Sequence, residues 1–305
     1  MPYYLGIEIG GTKLQLTLAD HDLNIIKRFR FKVEQKAGAE GICAVIKNSL
    51  SEINEEITSI GVGFGGPIDR SSGKIFTSYH ISGWSDFSLQ AWLEDVSGVE
   101  VIVDNDANVA ALGEALHGAG KNYDTVFYVT LGSGVGSGLV QYGKIYHGAV
   151  PGESEFGHIK LDRSGITVQS SCSGWAVDEK IRNASLASPR SQLALLTKGL
   201  TQNEASVLGK AIQAGDPNAK DILESTMDDL AFALSHPIHL FHPDIIVIGG
   251  GLSLLGEILR SAIEVKVKNY VMDAFRPGLN IQLAALKEDA VTIGAISMAM
   301  RGSII

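Results

Sequence analysis

The sequence predicts an α/β protein made of two similar halves. Three observations lead there. Short β-rich apolar runs alternate with segments of helical spacing, the runs stop repeatedly at glycine clusters, and one order of elements occurs twice. That order is strand, glycine turn, strand, and then, further on, a strand ending in glycines. At roughly 100–200 residues per domain, a chain of 305 residues suits two domains, each with its own core.

Residues 3–9 alternate weakly and end at Gly10-Gly11-Thr12. Residues 14–18 form a second apolar run, and residues 25–31 a third beyond the turn Asp20-His21-Asp22. Three short strands joined by tight turns are expected. Residues 39–57 carry apolar side chains at helical intervals (Ile42, Val45, Ile46, Leu50, Ile53), and residues 60–64 read as a buried strand stopping at Gly65-Gly66-Pro67. Helix is expected over 89–96, strand over 99–103, and helix over 107–116, ending near Gly118. The second half opens with a strand over 125–131 that reaches the glycine-rich stretch 132–138. Strand resumes at 139–142, turns at Gly143-Lys144 and extends again at Ile145-Tyr146-His147. Residues 203–240 read as one long helix until Pro237, residues 245–248 as a strand entering Gly249-Gly250-Gly251, and residues 252–271 as a further helix.

Composition narrows the function. Hydrophobic residues at 45% and charged residues at 19% fit a folded globular chain and not a disordered one. A net charge of −9 argues against binding a phosphate backbone, so no nucleic-acid partner is expected. The N-terminus lacks a basic region followed by an apolar core, and no apolar run approaches membrane-spanning length. Neither secretion nor membrane association is expected. Cys43 and Cys172 are too few for a disulfide framework, which suits a reducing cytoplasm. Glycine is abundant at 35 residues against 8 prolines, which marks sharp turns and close backbone approaches, not low complexity.

The familiar phosphate loops do not fit. The stretch 138–145 nearly matches P-loop spacing, but Ile145 stands where a hydroxyl is needed and Lys144 lies in a hairpin turn. The glycines at 61, 63 and 66 match the dinucleotide pattern, yet Pro67-Ile68-Asp69 follows where a helix should begin. Two glycine hairpins remain. Gly10, Gly11, Thr12 and Lys13 form one, and Gly132, Ser133 and Gly134 the other. Each offers unencumbered N–H groups and a hydroxyl, the chemistry of a polyphosphate clamp. Asp104-Asn105-Asp106 lies where a buried strand meets a helix; one of these residues suits an N-cap, one carboxylate suits action on substrate, and Asn105 suits a hydrogen-bonding role. Glu153, Glu155 and His158 on a glycine-flanked loop suit recognition of vicinal hydroxyls.

Taken in order, the motifs GIEIGGTK, GGPID, ISGWSDFSL, VDNDANVAALGE, VTLGSGVGSGLV, GESEFGHI, DIIVIGGG and TIGAISMA resemble the ROK family of repressors, uncharacterised reading frames and sugar kinases. That family lies within the actin-like ATPase and hexokinase superfamily. The resemblance implies two actin-like (ribonuclease H-like) domains, with mixed sheets flanked by helices and a cleft between them. Residues 1–118 with about 289–305 would form the first domain, and residues 119–288 the second, carrying nucleotide and sugar loops. It implies ATP-dependent phosphorylation of a hexose, glucose or a related sugar, with ATP and Mg²⁺, in a cytoplasmic homodimer. By position Asp106 would be the general base. Gly65, Gly66, Asn105, Glu155, His158 and Glu179 would bind sugar. Gly10, Gly11, Thr12, Lys13, Gly132, Ser133 and Gly134 would hold the phosphates, and Gly249, Gly250 and Gly251 would lie against the adenosine.

Departures from the family pattern carry their own expectations. Of the zinc motif C-x-C-G-x-x-G-C-x-E, the matching stretch 170–179 keeps Cys172 and Glu179 alone, so no structural zinc is expected and the loop should fold by packing around Trp175 and Val177. Glu8 replaces the usual aspartate of D-x-G-G-T, which keeps a carboxylate near Mg²⁺ with altered reach. Gly65 stands where proline is common and His80 where asparagine is, changes that bear on sugar preference. A sugar-responsive regulator would need a DNA-binding extension, whereas GIEIGG begins at Gly6. The remaining alternatives are a catalytically impaired sugar-binding protein and a kinase for an N-acetylhexosamine or fructose.

Overall fold

The computed structural model describes residues 2–302 apart from 79, 80, 151 and 153, which places His80 and Glu153 outside the described residues. The chain gathers into two compact units. The first comprises Met1–Asp124, Gly138–Ser154 and Ala285–Ile305; the second comprises Thr125–Ser137 and Glu155–Ala284.

The first unit begins with strands β1 (Tyr3–Ile9), β2 (Lys13–Asp20) and β3 (Ile25–Lys32), then helix α1 (Gly38–Ser51) and β4 (Ile57–Phe64). A small hairpin, β5 (Ile68–Asp69) and β6 (Lys74–Ile75), precedes α2 (Leu89–Ser97), β7 (Glu100–Asn105) and α3 (Asp106–His117). The five-stranded sheet has order β3-β2-β1-β4-β7, antiparallel on the β2 side of β1 and parallel from β1 to β7. Its inner strands are nearly continuous apolar runs because both faces are covered. Leu5, Ile7 and Ile9 face a core with Ile46 of α1 and Leu89 and Leu93 of α2, while Tyr4, one residue out of phase, joins Ile296 and Ala299. The edge strand β3 carries Lys27, Arg28, Arg30 and Lys32, the charged edge that discourages pairing with another chain.

The second sheet repeats this order. Strands β8 (Thr125–Leu131), β9 (Val135–Gln141), β10 (Lys144–Ile145), β11 (Ile245–Gly249) and β12 (Ile281–Leu283) lie in the order β10-β9-β8-β11-β12. As in the first sheet, a hairpin comes first and two parallel strands follow on its other side. The duplication expected from motif order is thus present in strand topology. Helices of the second unit are α4 (Val168–Cys172), α5 (Gly174–Ala187), α6 (Gln192–Leu196), α7 (Leu208–Gln213), α8 (Pro217–Phe241) and α9 (Glu257–Val267). The last helix, α10 (Ala290–Arg301), returns to the first unit.

Several boundaries differ from expectation. Helix α1 ends at Ser51, and Ile57 already belongs to β4. Only residues 132–134 of the glycine-rich stretch form the turn, since strand resumes at Val135. The long helix expected from 203 is broken at Gly215, whose φ of +80° suits glycine, and α8 restarts behind the Asp216 cap with Pro217 in the first turn. Pro237 does not end α8. The Ala233 carbonyl, deprived of its helical donor by the proline, lies 3.0 Å from Nδ1 of His236. Gly256, with φ of +67°, likewise separates a 3-10 turn from α9.

Helix α10 explains part of the glycine surplus. A Cβ on Gly6 would overlap the Thr292 carbonyl oxygen, and one on Gly61 the Ala295 carbonyl oxygen. A Cβ on Gly294 would overlap the Val109 carbonyl oxygen of α3. These glycines let α10 press directly on β1, β4 and α3, a packing role that motif reading does not reveal.

Candidate active site

In the first unit, one wall is built where β1, β4 and β7 end together. The parallel register sets Glu8 beside Gly63 and Gly63 beside Asp104, so the three strand ends are level. At the tip of β7, Asn105 caps α3. Its Oδ1 accepts from the N–H groups of Ala107 (2.9 Å) and Asn108 (3.3 Å), and its Nδ2 donates to the Gly66 carbonyl oxygen at 3.2 Å. One side chain therefore fixes the α3 N-terminus and the Gly65-Gly66 turn together. Asp106, the first residue of α3, lays its carboxylate over Gly65, where a Cβ would lie 3.1 Å from Oδ2. The Gly65 N–H donates to Ile9 O at 2.9 Å, which holds this turn against the Gly10–Lys13 hairpin.

Glu8 is the charged centre of this wall. Its side chain is 12% exposed, and Oε2 forms an ion pair with Lys13 Nζ at 2.8 Å. Burial pushes its carboxyl up from 4.5 to about 7 despite the Lys13 ammonium, and the charges of Asp106 and Glu288 add to the rise. In the hairpin itself Gly10 N donates to Lys13 O at 2.9 Å, whereas the N–H groups of Gly11 and Thr12 have no acceptor among the described residues. Two outward amides fit an anion.

The second unit gathers a set of its own. The turn of Gly132, Ser133 and Gly134 receives the N-terminus of α5, with Gly174 N donating to Gly132 O at 2.7 Å. Gly250, at φ +80°, lies so close to the Leu131 backbone that a Cβ would overlap it, which brings Gly249–Gly251 against this turn. Gly157 packs beneath the Val135 carbonyl in the same way, which seats Glu155 and His158 beside the turn. Their loop is anchored by Phe156, whose ring meets Phe127 edge-on at 5.8 Å. Glu155 and His158 themselves stay open, at 55% and 65% exposure with 3.7 Å between Oε2 and Nε2. Gln169, absent from the sequence expectations, accepts the Val135 N–H at 3.1 Å and covers Gly134. A lone glutamine in a serine-rich stretch gives no signal of this.

A family model described as the ROK family matches residues 4–301. The chain belongs to the ROK family. A glucokinase from Thermotoga maritima is 31% identical over 304 residues, covering 96% of each chain. A glucokinase from Halalkalibacterium halodurans is 30% identical over 314 residues, covering 96% of this chain and 93% of its own. Among solved structures, a ROK family glucokinase from Streptomyces griseus in complex with glucose and AMPPNP superimposes with a TM-score of 0.87 at 27% identity, covering 98% of this chain and 100% of that one. The two mixed sheets flanked by helices are those of the ROK actin-like kinases.

Against this ROK frame, Glu179 stands apart. It lies exposed on α5 and makes no hydrogen bond or ion pair among the described residues, unlike Glu155 and His158. The stretch matched to the zinc motif folds as α4 and the start of α5. Among the described residues no three His, Cys, Asp or Glu side chains are grouped to hold a metal. Cys172 is buried, its Sγ 3.5 Å from Thr226 O. Lys180 Nζ donates to Ser171 O (3.0 Å) and Thr226 Oγ1 (2.9 Å), tying α5 to α4 and α8. Val177 is buried as expected, but Trp175 is 52% exposed and does not nucleate the packing. Among the described residues no helix is long and apolar enough to cross a membrane.

Proposed function

We propose that this ROK chain transfers the γ-phosphoryl group of ATP to the primary hydroxyl of a hexose, glucose or a close relative, with Asp106 as general base. The enzyme class, an ATP-dependent hexose kinase, rests on the glucokinase relatives and the ROK glucokinase structure. The observation that carries the assignment of the base is the Asp106 carboxylate, presented over a residue without a side chain at the first turn of α3. A sugar hydroxyl approaching across Gly65 meets that oxygen with no Cβ in the way.

The chemistry needs little else from the protein. Phosphoryl transfer proceeds by positioning and charge stabilisation, and the base takes the proton of the attacking hydroxyl. The amides of Gly11 and Thr12, and those of the Gly132–Gly134 turn with the α5 N-terminus behind it, supply phosphate-binding dipoles. Glu155 and His158 supply an acceptor and a donor for sugar hydroxyls. Mg²⁺ suits the first wall, because Glu8 offers a hard, buried carboxylate oxygen beside the Gly10–Lys13 hairpin. Glu8 would hold the ion or its water shell, and the bound ion supplies neutralisation of phosphate charge.

An ATP-coupled assay against a panel of hexoses and N-acetylhexosamines, run on the wild type and on Asp106→Asn, tests this. Turnover on at least one sugar is expected, with the variant slower by about 10²-fold or more and still folded. Near-normal turnover by Asp106→Asn removes Asp106 from the role.

A further inference from the structure

Beside the catalytic strand end lies a polar contact that the reaction as described does not use. Asp104, one residue before Asn105, is buried, and its Oδ2 lies 2.6 Å from Nε2 of His147, whose side chain is 10% exposed. Nδ1 of the same ring lies 3.1 Å from Nη1 of Arg70. A guanidinium only donates, so Nδ1 must accept, and Nε2 carries the proton donated to Asp104. The two neighbours thus select the Nε2–H tautomer of the ring. The other oxygen of Asp104 accepts the Asn105 N–H at 2.7 Å and the Asn108 Nδ2 at 3.1 Å. His147 therefore holds a carboxylate that itself holds the backbone of Asn105 and the first turn of α3, on which Asp106 stands. A cavity of about 390 Å³, lined by Arg70, Gln90, Val103, Asp104 and His147 among others, adjoins the contact.

We propose that His147 is a positioning residue for phosphoryl transfer: by donating to Asp104 it keeps the Asn105-Asp106 strand end in its reactive geometry. This rests on the hexose-kinase reading above. Reacting groups displaced by about 1 Å lose on the order of 10²-fold in rate, so a loss of that order is available to a residue that touches no substrate.

The test compares His147→Leu, which removes both contacts, with His147→Gln, whose amide offers one donor and one acceptor as this tautomer does. His147→Leu is expected to lower kcat by about tenfold or more with the KM for ATP within about twofold, the variant remaining folded at the assay temperature. His147→Gln is expected to keep kcat within about threefold of wild type. A nitrogen-15 imidazole spectrum of the wild type should show the Nε2–H tautomer. The proposal is overturned if His147→Leu keeps wild-type kcat, if Gln loses as much as Leu, or if the ring is protonated on Nδ1 alone. A wild type silent on every hexose would instead sink the kinase reading, and this proposal with it.

Discussion

Replacing Glu8 by glutamine should make the protein more stable at alkaline pH and leave it unchanged in acid. The carboxyl titrates near 4.5 in an unfolded chain and near 7 in the fold, where burial outweighs the Lys13 ammonium. Because the folded value is the higher one, the fold prefers the protonated form. As pH rises past 4.5 the unfolded chain releases its proton first, so stability falls through the interval from 4.5 to 7 and is level beyond it. The gap corresponds, at 1.36 kcal/mol per pH unit, to about 3 kcal/mol. Glutamine reproduces the shape of the protonated acid and cannot ionise. Urea unfolding of both proteins at pH 4, 5, 6, 7 and 8, without Mg²⁺ or nucleotide, measures the difference directly. The variant should match the wild type near pH 4 and exceed it by about 2–3 kcal/mol at pH 8. A difference that is flat across the range, or one that grows toward acid, would refute the argument that burial controls this carboxylate.

Two further outcomes are expected. Gly61→Ala forces a Cβ into the Ala295 carbonyl oxygen of α10, where backbone must move on both sides, so a loss of about 2 kcal/mol or more is expected in denaturant titration; a loss below about 0.5 kcal/mol would mean that α10 gives way easily. Burial pushes the thiols of Cys43 and Cys172 up to about 11 and about 12, so neither should react quickly with Ellman's reagent at pH 8 in the native protein, whereas both should in denaturant. Rapid native labelling of Cys172 would contradict its packing against Thr226.

The strands were legible because their signals are local. The apolar runs of β1, β4, β8 and β11 are short and glycine-bounded, and period-2 or continuous patterns read directly as half or fully covered strands. The twofold order of elements follows from the same runs, which is why the matched sheet topologies could be anticipated. Helix limits were harder to read. The apolar spacing of 203–240 continues across Gly215 and Asp216, and only the positive φ and the cap divide it. Pro237 reads as a terminator because its cost is local, while the compensating contact from His236 appears only in three dimensions. The glycines sort poorly for a related reason. Gly10 and Gly132 lie in half-buried turns and Gly61 and Gly294 at the contacts of a helix, yet all look alike in one dimension. Within the candidate site, Glu8, Asn105 and Asp106 sit together because each ends or follows a strand. Gln169 and His147 act across many residues of separation, on Val135 and Asp104, and nothing in their immediate sequence marks them.

Helix α10 also has a consequence for how the chain matures. The sheet of the first unit leaves the ribosome long before the helix that covers the Tyr4 and Gly6 face of β1. Synthesis at about 5–20 residues per second leaves that face without its cover for the time taken to make the 280 residues between β1 and α10. The second unit, whose strands and helices lie between Thr125 and Ala284, is complete before then. The usual vectorial order is thereby reversed: the unit begun first is finished last, and nascent β1 and β4 are the surfaces that most need a chaperone's shelter.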